Sequence, residues 1–404
     1  MNIDQQVEYF MQGTEYGDDK LKANMADELR LRLKTCQQEG RPLRVYCGFD
    51  PRKADLHLGH TVPMRKLRQF QELGHEVTFL IGNYTSLIGD PSDKDILRPQ
   101  LTHDEVAQNA QTYADQAFRI LEPSKTKIRY NAEWLAGLTF EQLIKLASNF
   151  TLQQFLTREN FKLRWDKGDA IYLHETFYSI MQGYDAYALQ ADVQIGGTDQ
   201  LFNIMTAARK IMTSLGAQPN IAIILGILPG TDGIVKMSKS LGNHIPINTD
   251  ARDMYGKVMS IPDTAMGQYF RLTTRLTPPE INEIESAMKA GSLHPRDGKM
   301  KLAREIVSAF YSDEEAVEAE KAFVETFQKG AVPEDIPEVK LVSGLTLINL
   351  LISENLANSG SAVRRLVQQK GIKFDGTLID DPTFTFNKEG ILQVGKRHFF
   401  KIKK

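Results

Sequence analysis

The chain has 404 residues, 42% of them hydrophobic and 25% charged, with a net charge of −2, the proportions of a soluble globular protein of two or three domains with an ample core. Two cysteines, Cys36 and Cys47, provide no disulfide framework or thiolate zinc site and suit a reducing, cytoplasmic setting. The N-terminus lacks an apolar signal region, and the strongest apolar run, Ile221 to Leu228, is too short to span a membrane.

In chain order, residues 1–40 read as amphipathic helix, with Leu21, Met25, Leu29 and Leu33 recurring at i+4 among charges. Leu43 to Cys47 is an apolar run fit for a short buried strand, broken by Gly48 and Asp50-Pro51. A helical pattern begins near Leu58, with Leu67, Phe70 and Leu73 on one face. Tyr46 to His60 is therefore strand, loop and helix start, which puts His57, Gly59 and His60 at a helix N-terminus. Unpaired N–H groups and the positive end of the helix dipole favour phosphate there, and imidazoles can donate to phosphoryl oxygens. Gly59 leaves room for a flat base against the backbone. Histidines that merely cap the helix fit the same residues; zinc would need third and fourth ligands that are not evident.

Glu76 to Gly82 reads as the next buried strand, so strand, helix and strand form a right-handed parallel unit. Ligands of open parallel sheets sit beyond the strand C-termini. The following loop, with Gly89-Asp90-Pro91-Ser92 and Lys94, should thus share a crevice with Gly48–His60. Residues 103–165 alternate helices, including Glu105 to Leu121 and Phe140 to Phe155, with turns; no Walker A or dinucleotide glycine pattern occurs. Tyr178, Gln182 and Asp185 fall at i, i+4 and i+7, on one face of a helix whose neighbours Phe177, Ile180, Met181 and Tyr184 are apolar, which makes a buried polar pocket credible. A strand and turn follow, Val193-Gln194-Ile195-Gly196-Gly197-Thr198-Asp199-Gln200, with two glycines that permit close approach of a ligand.

Ile221 to Leu228 is a further buried strand, leading through Pro229-Gly230-Thr231-Asp232-Gly233 to Lys236-Met237-Ser238-Lys239-Ser240. Gly233 and Gly242 bracket that run as a mobile loop, and its lysines suit pyrophosphate. Residues 246–330 read as a helical domain with Ala303, Ile306, Val307 and Phe310 as its internal stripe, and 331–340 as a linker. Residues 341–404 hold ten Lys and Arg against five Asp and Glu, a net of +5, which leaves −7 for the rest. A basic module on an acidic body suggests polyanion binding, although a solvated basic face would show the same charge.

His57-Leu58-Gly59-His60, followed 179 positions after His57 by Lys236-Met237-Ser238-Lys239-Ser240, resembles the paired signatures of class I aminoacyl-tRNA synthetases, with Leu58 where isoleucine is usual. Tyr178-x-x-x-Gln182-x-x-Asp185 and Gln194-Ile195-Gly196-Gly197-Thr198-Asp199-Gln200 look like the amino-acid pocket of bacterial tyrosyl-tRNA synthetases. The resemblance spans about residues 40–265 and resumes in the tail. Ser361-Ala362-Val363-Arg364-Arg365, followed by a hairpin around Lys373-Phe374-Asp375-Gly376, resembles an S4 RNA-binding domain, with Ser361 as helix cap.

What the resemblance implies is specific. Tyr178, Gln182 and Asp90 would hold the substrate ammonium; Asp185 and Tyr46 would meet its phenol, and Gln200 its carboxyl group. ATP would be held by Gly48, Asp50, His57, Gly59, His60, Gly197, Asp199, Lys236, Met237, Ser238, Lys239 and Ser240, with His57, His60, Lys236 and Lys239 catalytic. Arg52-Lys53 stands where the family has Thr-Ala, so Arg52 takes the place of a usual phosphate contact. Arg364, Arg365, Lys370 and Lys373 would bind RNA. The expected fold is α/β: a Rossmann-like parallel-sheet catalytic domain with helical insertion over 1–245, a helical domain, and a small α+β S4-like domain over 341–404. The expected activity is tyrosine–tRNA ligation with tRNA, tyrosine, and ATP accompanied by Mg2+, by a homodimer that needs no resident metal. A tryptophanyl enzyme, a non-catalytic RNA-binding paralogue and a small-molecule adenylyltransferase are the rival readings.

Overall fold

The computed structural model describes residues 1–51, 56–92, 102–328, 336–342, 344–354, 356–357, 359–395 and 398–403. Arg52, Lys53 and Lys94 lie outside them. The chain divides into two compact units, Met1–Ala316 and Val317–Lys404.

The first unit opens with helices α1 (Ile3–Met11) and α2 (Asp19–Gln38), whose Met25, Leu29 and Leu33 are buried as their spacing predicts. Then come β1 (Arg44–Phe49), α3 (Leu58–Glu72), β2 (Glu76–Ile81), α4 (His103–Ala117) and β3 (Thr126–Tyr130). Five helices follow, α5 (Ala132–Leu135), α6 (Phe140–Ala147), α7 (Leu152–Leu156), α8 (Glu159–Lys167) and α9 (Leu173–Ala188), then β4 (Val193–Gly197). The helix expected over Phe140 to Phe155 is two, because Thr151 starts a new one by accepting from the Gln154 N–H. A π-helical stretch, Phe202–Ala208, runs into α10 (Arg209–Ser214) ahead of β5 (Ile221–Leu225).

The five strands form one all-parallel sheet in the order β3-β2-β1-β4-β5. Its central strands read as continuous apolar runs because helices cover both faces; every residue of β5 is buried. Strand order reverses between β1 and β4, which places the crevice beyond their C-terminal ends, at Gly48–Asp50 and Gly197–Gln200. A buried charged hub fixes the opposite ends of the same strands: Asp192, just before β4, takes Arg32 at 3.0 Å, Arg41 at 2.7 Å and the Arg44 N–H at 2.9 Å.

Helices α11 (Ala251–Met259), α12 (Met266–Thr273), α13 (Pro278–Lys289) and α14 (Pro295–Phe310) bury the expected stripe Ala303, Ile306, Val307 and Phe310. They stay in the first unit and do not separate as a domain of their own. The reason is packing: α12 lies against α3, and its Gln268 and Tyr269 donate to the Ile227 and Pro229 carbonyls beyond β5, at 2.8 and 2.7 Å. The cut between the units falls inside α15 (Asp313–Phe323).

In the second unit, β6 (Glu338–Lys340), α16 (Leu347–Ser353), α17 (Gly360–Gln368), β7 (Ile372–Phe374), β8 (Thr377–Leu378), β9 (Gly390–Val394) and β10 (His398–Lys403) form an α+β fold with sheet order β6-β10-β9-β7-β8. Residues 338–340, placed in the linker by sequence, instead pair in parallel with β10, Val339 opposite Ile402. The expected hairpin is present between β7 and β8, with Asp375 (φ 50) and Gly376 (φ 78) both left-handed, as a two-residue turn of this kind demands. Leu350, Leu351, Val363 and Val367 of the two helices pack with Ile372, Leu392 and Ile402 of the sheet.

Candidate active site

The crevice has an enclosed end and an open end. At the enclosed end Tyr46, inside β1, and Asp185, on α9, are 1% and 2% exposed. Asp185 accepts from Trp134 Nε1 at 2.7 Å and from Asn131 Nδ2 at 3.3 Å, one donor on each oxygen. A carboxylate has lone pairs for more. Burial pushes its pKa up to about 7 against those two donors. The Tyr46 hydroxyl has no hydrogen-bond partner among the described residues, and burial together with the Asp185 charge raises its pKa well above the phenol range. A fully buried hydroxyl without a partner costs about 1–3 kcal/mol, so a pocket that keeps one is shaped for a ligand.

Residues expected around an ammonium group converge beside this pair. Tyr178 Oη donates to Asp50 Oδ2 at 3.0 Å, and Thr85 Oγ1 to Asp50 Oδ1 at 2.8 Å. Gly82 makes room for that carboxylate, since a Cβ there would lie 2.2 Å from Asp50 Oδ1. Asp50, just after β1, thereby ties Tyr178 of α9 to Thr85 in the loop after β2. The Gln182 Oε1 is buried and has no partner among the described residues. Asp90 receives Gln200 Nε2 at 2.5 Å and the Ser92 N–H at 2.9 Å, in a turn made possible by Gly89 at φ 77.

Sequence reading missed what supports these groups. Arg158, 7% exposed, donates to Ser179 Oγ at 2.9 Å and Ser92 Oγ at 2.8 Å between the rings of Phe161 and Phe202. Asn203, in the π-helical stretch, links Ser92, Ser179 and Gln200. Asn131 and Trp134, the donors that hold Asp185, come from the turn after β3 and from α5, 54 and 51 residues away in the chain. No periodicity joins residues so far apart, and only the missing acceptor for a buried Trp N–H hints at such a contact.

The open end joins the histidines to the lysine motif. His57 is the N-cap of α3, and its backbone N–H donates to His60 Nδ1 at 3.2 Å, which leaves the His60 proton on Nε2. Their rings lie 3.8 Å apart. Burial first, then His60, His244, Lys236 and Lys239, lower the His57 pKa to about 3, so its imidazole is neutral at pH 7. Residues 245–247 fasten the lysine loop to this turn: Leu58 N–H donates to the Ile245 carbonyl at 2.8 Å, and Ile247 N–H to Leu56 at 3.4 Å. The two motifs also pack on each other. Met237 is 2% exposed, and a Cβ on Gly59 would stand 3.6 Å from its Cβ and 3.1 Å from the His57 ring. Lys236 Nζ reaches Asp199 Oδ2 at 3.3 Å beyond β4, while Ser238, Lys239 and Ser240 ride the outer part of the loop. A Cβ on Gly197 would be 2.6 Å from Asp199 Oδ1, so a side chain there would push the Asp199 carboxylate from its place beside Lys236. Gly48 is exposed at the end of β1, facing the same opening.

In the second unit Arg364, Arg365, Lys370 and Lys373 are all exposed on and after α17. The helix cap differs from expectation: Ser359 Oγ accepts from the Ala362 N–H at 3.3 Å, and Ser361 lies within the first turn. Arg364 and Arg365 project outward because Val363 and Val367 take the inner face.

A family model described as class I tRNA synthetases (W and Y) matches residues 38–328. The chain is 46% identical over 380 residues to the tyrosine–tRNA ligase of Desulfotalea psychrophila, covering 93% of this chain and 94% of that one. It is 45% identical over 389 residues to the tyrosine–tRNA ligase of Thermotoga maritima, covering 95% and 96%. Among solved structures, the tyrosyl-tRNA synthetase of Archaeoglobus fulgidus complexed with L-tyrosine shares the fold at TM-score 0.60 and 21% identity, over 79% of this chain and 100% of that one.

Proposed function

This chain belongs to the tyrosine–tRNA ligases within the class I tRNA synthetases, and we propose how its residues divide that work. The enzyme joins tyrosine to tRNA at the expense of ATP. One observation carries the assignment of the enclosed end to the substrate side chain: the buried Tyr46 hydroxyl has no partner among the described residues and lies within electrostatic reach of the buried Asp185 carboxylate. A phenol both donates and accepts, so it satisfies the carboxylate and the hydroxyl together. Indole N–H can only donate, and a phenyl ring can do neither.

Tyr178, Gln182 and Asp90 hold the ammonium group in this reading, and Gln200 lies by the carboxylate. One carboxylate oxygen attacks the α-phosphorus, a bond to that phosphorus forms, and the bond to the leaving pyrophosphate breaks. A ribose hydroxyl at the 3′ end of the tRNA then attacks the carbonyl carbon, and AMP departs. No side chain serves as nucleophile. His57 and His60, as neutral donors, and Lys236 and Lys239, as cations, stabilise charge that builds on the phosphates, which is where preorganised donors act most strongly. Mg2+ enters as the counter-ion of ATP.

The basic face of the second unit, with Arg364, Arg365, Lys370 and Lys373, is assigned to tRNA on its charge and exposure. A homodimer is part of the same reading. It is supported by apolar side chains left in water on neighbouring helices, Phe140 at 77%, Trp165 at 64% and Leu173 at 69% exposed. No helix among the described residues is long and apolar enough to cross a membrane.

Amino-acid-dependent ATP–pyrophosphate exchange tests the pocket. Tyrosine should support it far better than phenylalanine or tryptophan, and comparable rates for the three would overturn the assignment of Tyr46 and Asp185.

A further inference from the structure

We infer that Asp232 and Asn243 form a clasp that holds the lysine loop in its working shape, which makes both of them positioning residues for adenylate formation. The inference rests on the reading that Lys236 and Lys239 meet the phosphates.

Residues 230–243 have little packing of their own, with Ile234 87% and Leu241 60% exposed. Ordering such a segment costs conformational entropy that local bonds must offset. Those bonds converge on two side chains. Asp232 Oδ1 accepts from the Ile234 and Val235 N–H groups, each at 2.8 Å, and Oδ2 accepts from Asn243 Nδ2 at 2.5 Å. Asn243 is buried at 7% exposure, and its Oδ1 accepts from the Ser238 N–H at 2.8 Å. Its Nδ2 also lies 3.4 Å from the carbonyls of Val235 and Lys236, and its own carbonyl takes the Thr231 N–H at 2.8 Å. One asparagine thus grips the backbone on both sides of Lys236 and one residue before Lys239.

Gly230 leaves the space for this side chain, because a Cβ there would stand 2.2 Å from Asn243 Nδ2. The Asn243 amide and the two N–H groups hold the Asp232 carboxyl below the usual carboxylate range, so it stays an acceptor. The loop is therefore pinned twice: at Met237, wedged on Gly59, and at the neck by the clasp. Between the two pins the positions of Lys236 and Lys239 are set. Charge on the departing pyrophosphate is largest in the transition state, so a displaced lysine lowers the rate and leaves tyrosine binding alone.

The full-length enzyme tests this by single-turnover adenylate formation, tyrosine affinity and thermal melting. Asp232→Asn turns a donor toward the Asn243 amide, and Asn243→Asp sets two carboxylates against each other. Combined, the bond between the pair is restored with its direction reversed: the amide at 232 donates to the carboxylate at 243, and both still accept their backbone N–H groups, while the two longer contacts from position 243 to the Val235 and Lys236 carbonyls are lost. Each single variant should slow adenylate formation by about tenfold to a hundredfold, with tyrosine affinity unchanged. Trypsin should cut the singles faster after Lys236 and Lys239. The double variant should recover part of both properties, and be faster and more resistant to trypsin than either single variant. Full-rate single variants beside a slowed Lys239→Ala would overturn the clasp alone. Full rate in Lys239→Ala would overturn the phosphate reading and the clasp with it. Losses that the double variant does not recover, in step with a lowered melting temperature and weaker tyrosine binding, would reduce the pair to structural glue and overturn the inference as well.

Discussion

At the enclosed end of the crevice, Tyr46 and Asp185 are 1% and 2% exposed, and their unspent hydrogen-bonding capacity is built into the core. At the open end Lys236 and Lys239 stand in solvent on a loop whose only deeply buried anchors are Met237 and Asn243. The two ends solve different problems. Recognition of a phenol needs polar groups that are costly to leave unmet, so they are placed where water cannot meet them. Stabilisation of a departing pyrophosphate needs charge that waits at the surface and acts when the phosphates arrive. In the proposed reading burial marks the groups that recognise the phenol, and exposure marks the lysines that meet the phosphates, with His57 buried between the two.

The sharpest way to break that contrast is Asp185→Ala. Discrimination against phenylalanine among tyrosyl enzymes themselves is about 10⁵, a figure taken from that class and not from this geometry. The variant should lose most of whatever preference the wild type shows in exchange assays with the two amino acids. A variant that kept the full preference would move the recognition of the phenol elsewhere.

Next in size are His57→Ala and Lys239→Ala. Loss of one preorganised donor costs ~2.7–4 kcal/mol, a factor of ~10²–10³ in rate. Adenylate formation should slow by that order with tyrosine affinity nearly unchanged, read by single turnover and equilibrium binding. Weak tyrosine binding at a normal rate would erase the division of labour between the two ends.

The pH dependence sharpens it further. The Asp185 pKa, raised by burial to about 7, means the carboxyl is charged above that value and protonated below it. For tyrosine, kcat/KM should fall about tenfold per pH unit below 7 and flatten above it. His57, held near 3, should contribute no step between pH 5 and 9. The same shift has a stability sign. The folded pKa lies above the model-peptide value of about 3.9, so the folded state holds its proton more tightly than the unfolded one. Stability is lost as pH rises from about 4 through 7, so the wild-type melting temperature should carry a falling contribution from Asp185 across that window, read by thermal melting at a series of pH values.

The smallest effect is expected outside both ends. Arg364→Ala with Arg365→Ala should leave exchange untouched and flatten the salt dependence of tRNA affinity by about two phosphate contacts. An unchanged salt slope would take these arginines off the tRNA.

Much of this architecture was legible in the chain. Apolar runs marked β1, β2, β4 and β5, because strands buried on both faces have no room for polar alternation. The i, i+4, i+7 spacing placed Tyr178, Gln182 and Asp185 on one face of α9, since helix periodicity is a local property. Asp50-Pro51 and Gly89–Pro91 marked turns, because the backbone there obeys local steric rules, whereas Gly48, expected to break the first strand, stays inside β1 opposite Leu80 because the parallel pairing with β2 carries the strand through it. Three features depended on contacts between distant segments. The donors that hold Asp185 come from the turn after β3 and from α5, and Arg158 reaches Ser92 across 66 residues. Met237 meets Gly59 only when the sheet has brought β1 and β5 to opposite flanks of β4. The sequence by itself determined which residue types the site contains and on what elements they ride, since propensity and periodicity act over a few residues. Tertiary structure alone decided which of them are buried, which lack a partner and which face one another, because burial and desolvation belong to the packed chain and not to any segment of it.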